Sequence, residues 1–157
     1  MSQTTGHLSR TRQCLRRALP DAIALALLLE LFWEAGQLPW YAGWGSTPWP
    51  RLALYIGLGT TGDLLTLASV YVVTALLCRD RCFFRRNAPG WIVFTLLGLA
   101  YTVASEYVNV YVWHRWGYSP AMPTLPLIGT GLCPFLQWLL IPPAWLALLS
   151  WRDARQR

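Results

Sequence analysis

Glu30, Glu34, Asp63 and Glu106 stand inside stretches that are otherwise almost entirely apolar. An ionised carboxylate near the centre of a bilayer costs roughly 2.5–3.5 kcal/mol on insertion scales, so four left unpaired would cost on the order of 10 kcal/mol. Such groups must face a protein interior or a wet cavity, carry protons, or hold a cation. Amides accompany them at helical spacing. Gln37 lies one turn beyond Glu34, Asn109 one turn beyond Glu106, and Glu30 one turn before Glu34. Gln137 sits in a later apolar stretch at a similar depth. Carboxylates and amides gathered at one level can bind a proton, a cation or a small polar solute.

His114, beside Trp113 and Trp116, is the histidine nearest this set. With Glu34, Asp63 and Glu106 it makes a candidate metal set, better suited to hard cations or to manganese and iron than to copper or zinc. No cofactor is identified. The CRDRC pair, Cys78 and Cys82, has no second pair to complete a zinc site. No phosphate-cradling loop, nucleophile elbow, H-E-x-x-H or haem-attachment motif occurs. Tyr55, Tyr101, Tyr107, Tyr111 and Tyr118 offer hydroxyls, although aromatic filling of the bundle is the preferred reading.

The elements that must carry these groups follow from hydropathy. Of the 157 residues, 55% are hydrophobic and 13% charged, about half the usual charged share of a soluble domain. Four apolar runs, 21–41, 52–77, 91–113 and 126–149, reach the length of a spanning helix. The fold class expected is therefore all-α, a polytopic four-helix transmembrane bundle. An Arg-rich N-terminus (1–20), the bundle (21–150) and a C-terminal tail (151–157) divide the chain.

All thirteen basic residues are arginine. Arg10, Arg12, Arg16 and Arg17 precede the first run, Arg79, Arg81, Arg85 and Arg86 separate the second and third, and Arg152, Arg155 and Arg157 follow the fourth. Only Arg51 and Arg115 lie in the other two loops. The net charge of +6 thus marks topology and contact with anionic lipid, not a nucleic-acid partner. The positive-inside rule places both termini in the cytoplasm of a multi-pass membrane protein. The first run is too long for a signal peptide and contains two glutamates, so it reads as a retained helix. Cys14, Cys78 and Cys82 then fall on a reducing side, where disulfides are not expected. Trp40, Trp44, Trp49, Trp113 and Trp116 gather at the opposite helix ends as an aromatic belt.

The sequence also repeats itself. Offset by seventy-two residues, 22–78 aligns with 94–150 without a gap. The matches read E-x2-[QN]-x6-W-G-x-[ST]-P-x7-I-G-x-G, pairing Glu34 with Glu106, WGSTP with WGYSP, and IGLG with IGTG. Two spans return the chain to its starting side, so the halves are parallel repeats about an axis along the membrane normal. Glu34 and Glu106 become symmetry mates that couple across the axis, whereas Asp63, aligned with Phe135, breaks the symmetry. The glycine pairs either loosen the backbone at a binding site or let helices approach closely, the second reading being preferred. Pro142 and Pro143 are expected to kink the fourth helix.

The stretches SEYVNVYVWHRWGYSPAMPTLPLIGTGLCPFLQW, FWEAGQLPWY and TTGD resemble a group of small bacterial four-helix inner-membrane proteins to which no activity is assigned. That resemblance implies a setting and no chemistry. Small multidrug transporters share the size and an intramembrane glutamate, but lack the internal WGx[ST]P repeat. Three functions fit the residues: proton-coupled binding or transport of a cation or small polar solute, with Glu34, Asp63, Glu106, Gln37, Asn109, Gln137 and Glu30 as ligands; an acid/base or metal-dependent enzyme acting on a lipid or isoprenoid; and an accessory subunit of a membrane complex. Partners are the lipid bilayer, a small-molecule or cation ligand, and a membrane protein or second copy.

Overall fold

A computed structural model describes residues 2–85 and 87–155, with side chains described from Ala18 onward. Arg86 and Arg157 lie outside the described residues, as do the side chains of Arg10, Arg12, Cys14, Arg16 and Arg17. The fold is all-helical, 76% helix with no strand among the described residues. Its helices are α1 (Ser2–Gln37), α2 (Trp49–Leu77), α3 (Ala88–Glu106) and α4 (Leu132–Arg155). Each packs on its neighbours in a ring: α1 on α2 and α4, and α3 on α2 and α4.

Local chemistry sets the helix ends. Pro48 and Pro50 open α2, where a missing N–H costs nothing. Asn87 accepts from the Gly90 N–H at 3.1 Å and caps α3. Arg79, in the left-handed region at φ 52°, turns the chain out of α2. Two boundaries differ from the hydropathy reading. Residues 2–20 are not a separate tail but the first turns of α1, and Pro20 lies within that helix. The fourth helix starts at Leu132, six residues later than hydropathy places it, because 125–131 form a turn with Leu127 at φ 68° and Gly129 at φ 73°. α4 continues through Pro142 and Pro143.

Three helices are long and apolar enough to cross a membrane: α2, α3 with its extension to Val112, and α4. α1, which carries Asp21, Glu30 and Glu34, is not among them. The radial pattern inverts that of a soluble bundle. Leu28, Phe32, Leu54, Leu65, Leu76, Ile92 and Leu96 are exposed, while Glu30, Gln37, Thr60, Glu106, Asn109 and Gln137 are buried. Continuous apolar exposure of this kind suits lipid and not water.

The bundle has a basic end and an aromatic end. Toward the basic end, Phe83, Phe84, Phe94, Trp145 and Leu146 form a dry core, with Tyr71, Phe83, Phe94 and Trp145 in ring contact at 4.7–6.2 Å. Arg85 pairs with Asp153 at 2.5 Å and Arg152 with Asp21 at 2.6 Å, so part of the basic charge is neutralised within the protein. Cys82 is disulfide-bonded, contrary to the expectation of reduced thiols, whereas Cys78 and Cys133 are free. The 78–87 loop is tucked against the core by Phe83 and Phe84, which packs Cys82 instead of leaving it solvated.

At the aromatic end the five belt tryptophans are exposed, as expected. The two WGx[ST]P loops meet there. Ala42 N–H donates to Gly117 O at 2.8 Å, Ser119 N–H donates to Trp40 O at 2.9 Å, and Tyr41 bridges Tyr118. The clasp ties the two loops together at that end of the bundle.

Candidate functional site

Glu30, Glu34 and Gln37 follow one another at i, i+4 and i+7, a single stripe of α1. That stripe faces α2 and α4. Gln137 of α4 reaches between the other helices: its Nε2 donates to Glu30 Oε2 at 2.8 Å and to Asp63 Oδ2 at 2.7 Å. One primary amide has two N–H bonds, so both are used. The carboxyl groups of Asp63 and Glu34 are in hydrogen-bond contact. Gln37 Nε2 donates to Glu34 Oε1 at 2.5 Å. The result is one unbroken path, Glu30–Gln137–Asp63–Glu34–Gln37, drawn from three helices.

Gly59 makes that path possible. A Cβ at this position of α2 would overlap the Glu34 carboxyl group, while one at Gly57 would meet nothing within 4 Å. Ile56–Asp63 is regular helix, so these glycines do not unwind the backbone as a binding-site role would require. Gly59 gives close approach, to a carboxyl group and not to another helix. In the second half, IGTG does leave the helix, and its last glycine serves another purpose. Gly131 N–H donates to Tyr118 Oη at 2.9 Å.

Tyr118 in turn donates to Glu106 Oε2, and the Trp116 side chain also bonds that carboxylate. Glu106 therefore has its own partners. The carboxyl groups beside Glu34 are those of Asp63 and Glu30, not that of Glu106 as expected from the repeat. Glu34 and Glu106 still border one region, because Tyr41 lies within the electrostatic reach of both and Asp63 within that of Glu106. Burial pushes the Tyr41 phenol up, and the negative Glu106 and Glu34 add to this. Burial and the hydrogen bond to Glu106 do the same for Tyr118. Both phenols stay protonated, and Tyr118 is the one that donates to a carboxylate.

Two expected residues do not join. Asn109 is buried but turns back to its own helix, donating to Ser105 O at 2.8 Å and Ser105 Oγ at 3.2 Å. His114 is exposed at φ 50°, its Nδ1 3.0 Å from Val110 O. The cause is local: α3 widens into a π-helix over Tyr107–Val112, which resets the angular position of everything after Glu106. The described residues contain no group of three or more His, Cys, Asp or Glu placed to hold a metal, so Glu34, Asp63, Glu106 and His114 are not brought together as ligands. Tyr41, Trp116 and Tyr118 border the site although residue type and spacing give them no such role. Their only signal in the sequence is proximity to the WG and proline motifs, which prove to clasp.

Among the described residues nine buried side-chain atoms lack a hydrogen-bond partner, and seven of them lie away from the basic end. They are Trp33 Nε1, Gln37 Oε1, Thr60 Oγ1, Thr102 Oγ1, Asn109 Oδ1, Ser119 Oγ and Thr130 Oγ1. Each such group costs about 1–3 kcal/mol if it stays unmet. Gln37 Oε1 and Thr60 Oγ1, on the helices that carry Glu34 and Asp63, leave acceptors there for something polar. No model of a known protein family, no curated protein and no solved structure matches this chain. Its function is therefore read from the geometry.

Proposed function

We propose that this chain binds and moves a cation or small polar solute across a membrane in exchange for protons, at the path that joins Glu30, Asp63 and Glu34. The observation that carries it is the convergence of three carboxyl groups inside the bundle: Gln137 donates to Glu30 and Asp63, and the Glu34 carboxyl group sits against Gly59, one turn from Asp63. Carboxylate oxygens are acceptors only, so two carboxyl groups in contact hold a proton between them. A cation arriving between them takes the place of that proton, which gives a coupled exchange without added machinery. Gln137 and Gln37 hold the carboxyls in position, and Glu106 with Tyr118 and Tyr41 forms the wall nearer the aromatic end.

In this reading the halves are parallel repeats, both termini and the arginine-rich loop lie in the cytoplasm of a bacterium, and the site opens toward the aromatic, outer end. The eleven-to-two distribution of arginines supports that orientation.

The test uses the full chain in sealed vesicles with a pH-sensitive dye inside. Addition of methylammonium is expected to drive a protein-dependent proton flux, reduced at least thirtyfold in Glu34→Gln. Flux of equal size in wild type and Glu34→Gln would refute an exchange at this pair.

A further inference from the structure

An apolar groove of about 340 Å³ runs along the bundle on the basic side of the carboxyl path. Its floor continues the same three helical faces. On α1, Ala18, Ala22 and Ala26 lead at i+4 steps to Glu30, and on α2, Tyr71, Leu67 and Leu64 lead to Asp63. On α4, Leu149 and Trp145 lead to Gln137. Alanine on the α1 stripe, where the residues that follow are Leu19, Ile23 and Leu27, leaves the hollow. The walls are fixed in place: Trp145 Nε1 donates to Ala22 O at 2.9 Å, and Tyr71 Oη to Arg81 O at 2.7 Å. The groove opens sideways between Leu19 and Ile23 of α1 and Val72 of α2, all exposed toward the surrounding medium. In the membrane setting proposed above, the medium at that apolar face is hydrocarbon.

The end of the groove asks for the opposite chemistry. Glu30 is 1% exposed and shares Gln137 with Asp63. Gln37, 5% exposed, spends its N–H on Glu34 and leaves Oε1 unpartnered. Thr60, one turn before Asp63 in α2, leaves Oγ1 unpartnered at 4% exposure. The region is rich in acceptors, so a ligand must bring donors, and positive charge suits it best.

Resting on the cation-site reading above, we infer that the natural ligand is an amphiphilic amine that enters from the bilayer, its hydrocarbon tail along the Ala18–Ala26 groove and its ammonium head between Glu30, Asp63 and Glu34. The head supplies the N–H donors that the carboxyls and Gln37 accept. The tail exchanges bilayer hydrocarbon for groove wall, which is nearly neutral in free energy. Selectivity therefore resides in the head, and the groove decides which molecules can deliver one.

The experiment places the full chain in phosphatidylcholine vesicles with hexadecylamine carrying a photoreactive diazirine midway along its chain. After illumination, labelled peptides are mapped by mass spectrometry. Labelling is expected to concentrate on 18–26 and 64–72. It should fall at least tenfold in Ala22→Phe, which fills the groove, and in Glu30→Gln, which alters the head site. Ala68→Phe, on the opposite wall, gives a second obstruction should Ala22→Phe fail to fold. Hexadecanol with the same diazirine should label the groove at least tenfold less. Equal labelling by amine and alcohol, or labelling spread over the lipid-facing side of α3, would overturn the inference by showing ordinary lipid there. Methylammonium-driven flux is measured in parallel and should persist in Ala22→Phe. Persistent flux without head-dependent labelling sinks the amphiphile alone; absence of flux in wild type sinks the exchange reading instead.

Discussion

Replacing Gln137 by leucine is expected to destabilise the bundle by about 3 kcal/mol and to abolish exchange. The size of the stability loss separates two accounts of the path. Two ordinary hydrogen bonds within a membrane contribute about 0.6 kcal/mol each, so their removal alone would cost roughly 1 kcal/mol. Leaving a buried charge without its partner costs about 3–5 kcal/mol. Gln137 bonds carboxyl oxygens on two different helices, and Glu30 is almost wholly buried. The larger figure applies if one of those groups keeps its charge, as exchange requires. Reversible unfolding of wild type and Gln137→Leu in mixed micelles measures the difference. A loss near 1 kcal/mol would mean that the path is a neutral packing device.

The second large effect concerns glycines two residues apart. In a helix, glycine to alanine ordinarily stabilises by about 0.5–1 kcal/mol. Gly57→Ala should follow that rule, because nothing lies within 4 Å of the added methyl group. Gly59→Ala should break it. Its methyl group overlaps the Glu34 carboxyl group, which must swing away from Asp63. Proton flux is expected to fall at least tenfold in Gly59→Ala and to stay within twofold of wild type in Gly57→Ala. Parallel flux and thermal-stability measurements on both variants check this. Similar behaviour of the two would show that the seat beneath Glu34 has no functional part.

Some of this arrangement is legible in the sequence. Acids inside apolar runs must turn inward for reasons of solvation alone, and Glu30, Glu34, Asp63, Gln37 and Gln137 do converge. Their common depth follows from counting residues at 1.5 Å each. Partner identity does not follow, because depth carries no angular information. The repeat points to Glu34 and Glu106 as a pair, yet Asp63 on an adjacent helix is nearer in angle and takes that place. A π-helical turn shifts residues after position 106 by an amount that no hydropathy pattern records, which is why Asn109 and His114 leave the site. Tyr118 is hidden for another reason. It belongs to a loop, and only the clasp between distant loops brings it to Glu106. The glycine motif is visible, but its two copies serve different ends: Gly59 makes space for a carboxyl group and Gly131 donates an N–H.

The most direct measurement is the number of protons released when a cation binds. Calorimetric titration of the full chain with methylammonium, in buffers that differ in ionisation enthalpy, gives that number without reference to transport. About one proton per bound cation is expected for wild type, and none for Glu34→Gln or Asp63→Asn. Binding with no proton release in wild type, or the same release in all three proteins, would contradict an exchange between Glu34 and Asp63.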